Sequence, residues 1–86
     1  MNRIILNITC ELDKVPNIDV LLPKEFARGE ELKQEGVLEH LFLKDNRMGA
    51  VLVFKDVDEA RAQKIATSFP LFKYFEIDYI IADKLY

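Results

Sequence analysis

The sequence predicts a single α+β domain with the element order β-α-β-β-α-β. Three features carry that expectation. Apolar residues alternate with period two near both ends of the chain, two stretches have the apolar spacing of helices, and a loop of hairpin type joins two apolar runs in the middle. Eighty-six residues leave room for one hydrophobic core, so the domain is taken as 1–86.

Residues 3–12 read as the first strand, with Ile4, Leu6, Ile8, Cys10 and Leu12 on one face and Asn7, Thr9 and Glu11 opposite. Asp13-Lys14-Val15-Pro16-Asn17 reads as a turn. A helix is predicted to follow over 18–36, and two starts are open. Asn17 could cap it with Pro23 inside, or Pro23 could occupy the first helical position. Gly36 after Glu35 marks the end. A projection at about 100° per residue puts Ile18, Leu21, Leu22, Phe26, Gly29 and Leu32 on one side, with Lys24, Glu31 and Gln34 pointing away. Glu25 falls near the middle of the apolar side.

Val37 to Lys44 reads as the second strand, Asp45 to Gly49 as a hairpin loop, and Ala50 to Phe54 as the third strand. Asp56-Val57-Asp58-Glu59 has capping-box spacing, with Asp56 as cap and Glu59 reaching back. The helix it opens is predicted to bury Ala62, Ile65, Ala66 and Phe69, and Pro70 closes it. Phe75, Ile77, Tyr79 and Ile81 then alternate with Glu76, Asp78 and Ile80 as the fourth strand.

This is the order of a ferredoxin-like domain: a four-stranded antiparallel sheet with two helices on one face. Two helices leave the other face bare. Yet the second strand is apolar on both sides (Val37, Leu41 and Leu43 against Leu38 and Phe42), and the third has no polar residue between Ala50 and Phe54. Alternation would be expected if one face met water. The bare face is therefore expected to be buried, against another copy of the chain or around a ligand, and a homodimer or higher homo-oligomer is predicted.

Composition removes several function classes. Twelve Lys and Arg against fifteen Asp and Glu give a formal charge of −3. The cations are scattered singly from Arg3 to Lys84, so no basic face for nucleic acid is expected. The longest apolar run, Ala50 to Phe54, is far below the ~18 residues that cross a bilayer, and the first residues break their apolar run too early for a signal peptide. With a single cysteine, Cys10, a cytoplasmic location is expected. One His and one Cys without paired spacing give no support for a metal site, and three dispersed glycines build no phosphate loop. No metal and no organic cofactor are expected.

Few residues are left to carry chemistry. A Cys10–His40 nucleophile pair is formally available, but Cys10 fits better as a small buried hydrophobe on the first strand. His40, placed between Leu38 and Phe42 on one strand face, is either a proton shuttle with a near-neutral pKa or an inert interface histidine. Glu25 is the sharper candidate. A carboxylate on the inner side of a helix is desolvated, which raises its pKa and suits acid–base work. If the helix began at Pro23, however, Glu25 would sit at the third position and answer the helix dipole instead. Arg28 flanks the apolar side. Phe72, Tyr74, Phe75 and Tyr79 form an aromatic-rich segment that reads first as core and subunit interface.

Pro70-Leu71-Phe72-Lys73-Tyr74-Phe75-Glu76-Ile77 resembles the Leu-Pro-Leu-Phe-Pro-Tyr-x-Asp-Ile-Glu stretch of the muconolactone delta-isomerase family. Glu35-Gly36-Val37-Leu38-Glu39-His40-Leu41-Phe42 is similar to that family's Glu-Gly-Thr-Trp-Arg-His-Leu-Trp segment, and the likeness runs over residues 17–81. Leu38 and Phe42 stand at the family's tryptophans, and Arg47-Met48-Gly49-Ala50-Val51 at its His-Tyr-Ala-Asn-Tyr run.

The resemblance implies a ferredoxin-like domain whose sheets pack face to face in dimers. It implies an enzyme that shifts a double bond in an unsaturated lactone by moving a proton, without metal or organic cofactor. It places Glu25 on a glutamate of the family's first helix, as the proton-transferring carboxylate, and His40 on its strand histidine, as donor to the enolate oxygen. Arg28 and Arg47 become candidates for a substrate carboxylate, and Phe42 and Tyr74 for substrate contacts. Two other classes stay open: a noncatalytic oligomeric module that binds an apolar metabolite or only assembles, and, by fold analogy alone, a cofactor-independent monooxygenase.

Overall fold

The sheet is built outward from β1 (Asn2–Thr9), in which Ile4, Leu6 and Ile8 are buried and every second side chain points to the opposite face. The computed structural model describes residues 2–86. After β1 come α1 (Ile18–Gln34), β2 (Leu38–Leu43), β3 (Gly49–Lys55), α2 (Glu59–Ala66) and β4 (Glu76–Asp83). The strands lie in the order β2-β3-β1-β4 and every pair is antiparallel. The fold is the predicted ferredoxin-like one, since both helices follow strands at which the chain must cross over to reach its next place in the sheet.

Antiparallel register assigns each side chain to a face. Ile4, Leu6 and Ile8 stand opposite Phe54, Leu52 and Ala50 on β3, and opposite Ile81, Tyr79 and Ile77 on β4. Leu32 from α1 and Ala62, Ile65 and Ala66 from α2 close over this face, and Phe54, Leu6, Ala62 and Ala66 have no exposed surface. A smaller cluster of Cys10, Val15 and Leu71 packs at one end of it. The other face carries Ile5, Asn7, Phe42, Val51, Val53 and Ile80, and no element of the described residues covers it.

Three features differ from the sequence reading, and of the two open starts of α1 the earlier one is found. β1 stops at Thr9 because residues 12–14 wind into a 3-10 turn, with the Lys14 amide donating to the Glu11 carbonyl; Cys10 remains buried and Leu12 does not extend the strand. α1 begins after Asn17, which is left-handed at φ 59°, and Pro23 lies inside the helix, where its missing N–H leaves the Asp19 carbonyl without a helical donor. Asp58, not Asp56, caps α2, its carboxylate accepting from the Arg61 amide at 2.7 Å, while Asp56 takes a turn conformation at φ 61°. α2 ends at Ala66, and Phe69 reaches the core from the turn that follows rather than from the helix.

β2 is offset by a bulge. Leu38 stands opposite Phe54 and His40 opposite Val53, so Glu39 is the extra residue. Its carboxylate takes two hydrogen bonds from Arg3, at 2.8 and 3.1 Å, and Lys84 Nζ lies 3.7 Å away. The Arg3 hydrogen bonds hold the Glu39 carboxyl down at about 2. At the far end of the hairpin, Gly49 (φ 142°) lies so close to β1 that a Cβ there would collide with the Ile8 carbonyl. No helix of the described residues is long and apolar enough to cross a membrane.

Gly29 sits buried inside α1, where a helical glycine costs about 0.5–1 kcal/mol relative to alanine. A Cβ at this position would lie 3.9 Å from Leu41 Cδ1 and 4.0 Å from Leu38 Cδ2, both ordinary contacts. Gly29→Ala is expected to raise stability by about that 0.5–1 kcal/mol in urea unfolding. A loss of stability would mean that α1 needs a closer approach to β2 than this geometry gives.

Candidate functional site

α1 starts at Ile18, so Glu25 is its eighth residue and lies beyond the reach of the free N–H groups of the first turn. The dipole-answering alternative is removed, and the inward projection holds. Glu25 points under the helix into a cavity of about 90 Å³. Ile8 and Leu52 of the sheet form its floor, Leu22 and Phe26 of α1 one wall, and Leu71 and Phe75 another. Its mouth opens beside the edge strand β2, where Phe26, Leu41 and Leu43 are 61, 46 and 47 % exposed. The edge strand supplies that mouth because neither helix extends over its last residues.

Both carboxylate oxygens of Glu25 are buried without a hydrogen-bond partner. Burial pushes the carboxyl up to about 7; the Leu71 amide pulls the other way but is not in hydrogen-bonding geometry. A group with this value holds and releases a proton near neutrality. Cys10 lines the same cavity, and burial first, then the Glu25 charge, raise its thiol. A raised thiol is a poor nucleophile. Cys10 therefore acts as the small buried side chain expected of it.

The remaining candidates lie elsewhere. The sequence reading placed His40 with Leu38 and Phe42 on one face, but the Glu39 bulge changes the parity of β2. Leu38 faces the helices, whereas His40 and Phe42 face the bare side of the sheet, 5.9 Å apart between ring centroids. Leu41, opposite Leu52, takes the place toward Glu25. Within one chain, Glu25 and His40 are on opposite faces and share no cavity, so His40 does not complete the Glu25 site as expected. His40 Nε2 instead lies 3.9 Å from Glu39 Oε1.

Arg28 donates from Nε to Ser68 Oγ at 2.8 Å and pairs with Glu31 at 3.4 Å, tying α1 to the turn after α2. Arg47 is exposed in the β2–β3 hairpin at φ 62°. Tyr74, in the 3-10 turn of residues 72–74, packs on the Cys10 cluster, with Lys73 Nζ 5.2 Å from its ring centroid. None of these three lines the Glu25 cavity. Of the lining residues, Leu41, Leu43 and Phe75 were legible as apolar strand positions but not as the lining of a cavity, and no spacing singled out Leu71. Phe26, immediately after Glu25, was legible as apolar but not as a rim. Among the described residues, no three His, Cys, Asp or Glu side chains converge as a metal site would require.

No family model matches the chain, and no curated protein matches it.

The buried carboxyl leaves a signature in stability. Its folded value is raised from 4.5 to about 7, so the folded state binds the proton more tightly between those values. The stability that this proton contributes is full below about pH 4.5 and is lost as pH rises through about 7. Glu25→Gln is expected to abolish that decline and to stabilise the chain by roughly 2–4 kcal/mol at pH 8, with little effect at pH 4. Urea midpoints of both proteins across this range measure it; parallel curves would mean that the carboxyl is hydrated.

Proposed function

We propose that the chain is a cofactor-independent proton-transfer isomerase acting on a small unsaturated lactone or carbonyl compound, with Glu25 as the proton carrier. The observation that carries the reading is a buried, unpartnered carboxyl facing an apolar cavity that opens to solvent. The likeness to the muconolactone delta-isomerase family at residues 35–42 and 70–77 supports the same reaction type.

Glu25 as carboxylate takes a proton from the carbon alpha to the carbonyl, which also adjoins the double bond. The C–H electron pair enters the conjugated system and charge collects on the carbonyl oxygen as a dienolate. The carboxylic acid so formed returns the proton to a different carbon, the oxygen's electron pair re-forms the C=O bond, and the C=C bond has moved. No oxidant or second substrate enters. A low-polarity cavity favours the step because the carboxylate is not stabilised by water and is the stronger base for it.

One observation favours a second reading. Apart from the Cys10 thiol, Glu25 is the only lining side chain able to hydrogen-bond, so no side-chain donor faces a developing enolate oxygen. The same cavity would then serve only to bind an apolar molecule. Conversion of cyclohex-3-enone to cyclohex-2-enone, followed by absorbance, separates the two. Turnover that Glu25→Gln reduces by about 10²- to 10⁴-fold is expected; turnover that this substitution leaves unchanged, or none in the wild-type chain, would exclude catalysis by this carboxyl.

The bare sheet face is assigned to a second copy of the chain. Ile5, Phe42, Val51, Val53 and Ile80 make it apolar at the centre, with Phe42 58 % exposed and the Arg3–Glu39 pair at its edge. A face of this composition packs against its own copy as two sheets do in a sandwich. Sedimentation of the wild-type chain is expected to give a dimer or a multiple of it, and Phe42→Asp a monomer with unchanged helix content by circular dichroism. A wild-type monomer at high concentration would exclude this interface.

A further inference from the structure

The isomerase reading leaves the charge of the substrate open, and the resemblance offered Arg28 and Arg47 to a substrate carboxylate. The structure places neither in the cavity. Arg28 is committed to Ser68 and Glu31 on the outer side of α1, and Arg47 belongs to the hairpin. Every other lining side chain is apolar apart from Cys10 and Glu25. An anionic ligand would be stripped of water and find no cation among the lining residues, and one hydrogen bond from a neutral carboxyl does not repay that desolvation. An ammonium ligand fares little better, because Glu25 alone would have to replace its whole hydration shell.

We propose that the Glu25 cavity takes a compact, uncharged carbonyl compound, about the size of a single six-membered ring, and rejects carboxylate-bearing molecules of the same shape. The carbonyl oxygen accepts a hydrogen bond from the protonated Glu25 carboxyl, which gives the orphaned group a partner. The ring replaces empty space between Leu22, Leu52 and Leu71. The volume sets the upper size: about 90 Å³ is smaller than the ~150 Å³ apolar cavity that accepts benzene in another protein, so nothing larger than one ring is held, and part of that ring stands in the open mouth beside Phe26, Leu41 and Leu43. This inference rests on Glu25 being the polar group of a ligand site, as the isomerase reading also requires.

The test uses the whole chain and two probes of one ring size, cyclohex-2-enone and cyclohex-1-ene-1-carboxylate, titrated at about pH 6, where Glu25 is largely protonated. Amide shifts of Leu52 and Leu71 report the cavity. The enone is expected to move both and to bind at least about tenfold more tightly than the carboxylate. In Glu25→Gln, which keeps the shape, the neutrality and a hydrogen-bond donor, the preference for the enone should persist; its collapse would overturn the protonated, hydrogen-bonding Glu25 on which the proposal rests. A second variant, Leu41→Lys, sets a cation at the mouth and should shift the preference toward the carboxylate. Equal or tighter binding of the carboxylate to the wild-type chain overturns the proposal, as does the absence of cavity shifts with either probe. Binding of cyclohex-3-enone at these amides without conversion would sink the isomerase reading and leave this inference standing. Turnover confined to carboxylate-bearing substrates would do the reverse.

Discussion

Two helices can cover only one face of a four-stranded sheet, and most of this structure follows from that asymmetry. The covered face holds the core, with Ile4, Leu6 and Ile8 of the central strand β1 opposed on both sides by register. Hydrophobic burial on this face provides the bulk of the drive to fold. The cover is also incomplete at the edge. α1 crosses near Leu38 and Leu41 but leaves the end of β2 open, and the Glu25 cavity is the gap that remains. A larger second helix or a longer loop would fill this space with side chains. The site is thus a consequence of where α1 crosses the sheet.

The parity of β2 is the second constraint. Without the extra residue at Glu39, strict alternation would carry His40 to the face of Leu38 and send Leu41 away from it. The bulge reverses this from residue 40 onward. Arg3 holds it in place from two strands away, with both carboxylate oxygens of Glu39 accepting hydrogen bonds. The charge pair is half-sheltered and bidentate, which gives it more geometric specificity than a solvated surface pair. One local irregularity therefore decides that the cavity has an apolar leucine at its mouth, and that the histidine and Phe42 face the bare side, where the proposed second copy would meet them.

Glu25 shows what burial does to a lone carboxyl. It has neither a cation nor a hydrogen-bond donor, so its charged form is disfavoured and its proton is held to near neutrality. Keeping such a group costs stability at neutral and alkaline pH, whereas a leucine in the same place would not. A cost of this kind is common where a group serves binding or catalysis. The contrast with Glu39 is instructive. Two carboxyls in one small domain are moved in opposite directions, one by a guanidinium within hydrogen-bonding distance and the other by the absence of any partner.

The local periodicities of the chain determined the element order, the inward side of α1 and the identity of most core residues, because apolar spacing at two or 3.6 residues is a property of neighbours in sequence. Glu25 was legible for that reason: its angular position on α1 can be read from residues 18–34 alone. The cap at Asp58 was less so, since Asp56 has the capping-box spacing to Glu59 whereas Asp58 has Arg61 three residues on, and the start of α1 after Asn17 stayed open because Pro23 fits a first helical position as well. What lay beyond the sequence were the relations between distant segments. The bulge at Glu39 depends on Arg3, 36 residues away. The cavity exists because Ile8, Glu25, Leu52 and Leu71, from four parts of the chain, meet around a space that none of them fills. Pattern can say which way a side chain faces, but only packing in three dimensions decides what stands opposite it, and whether anything does.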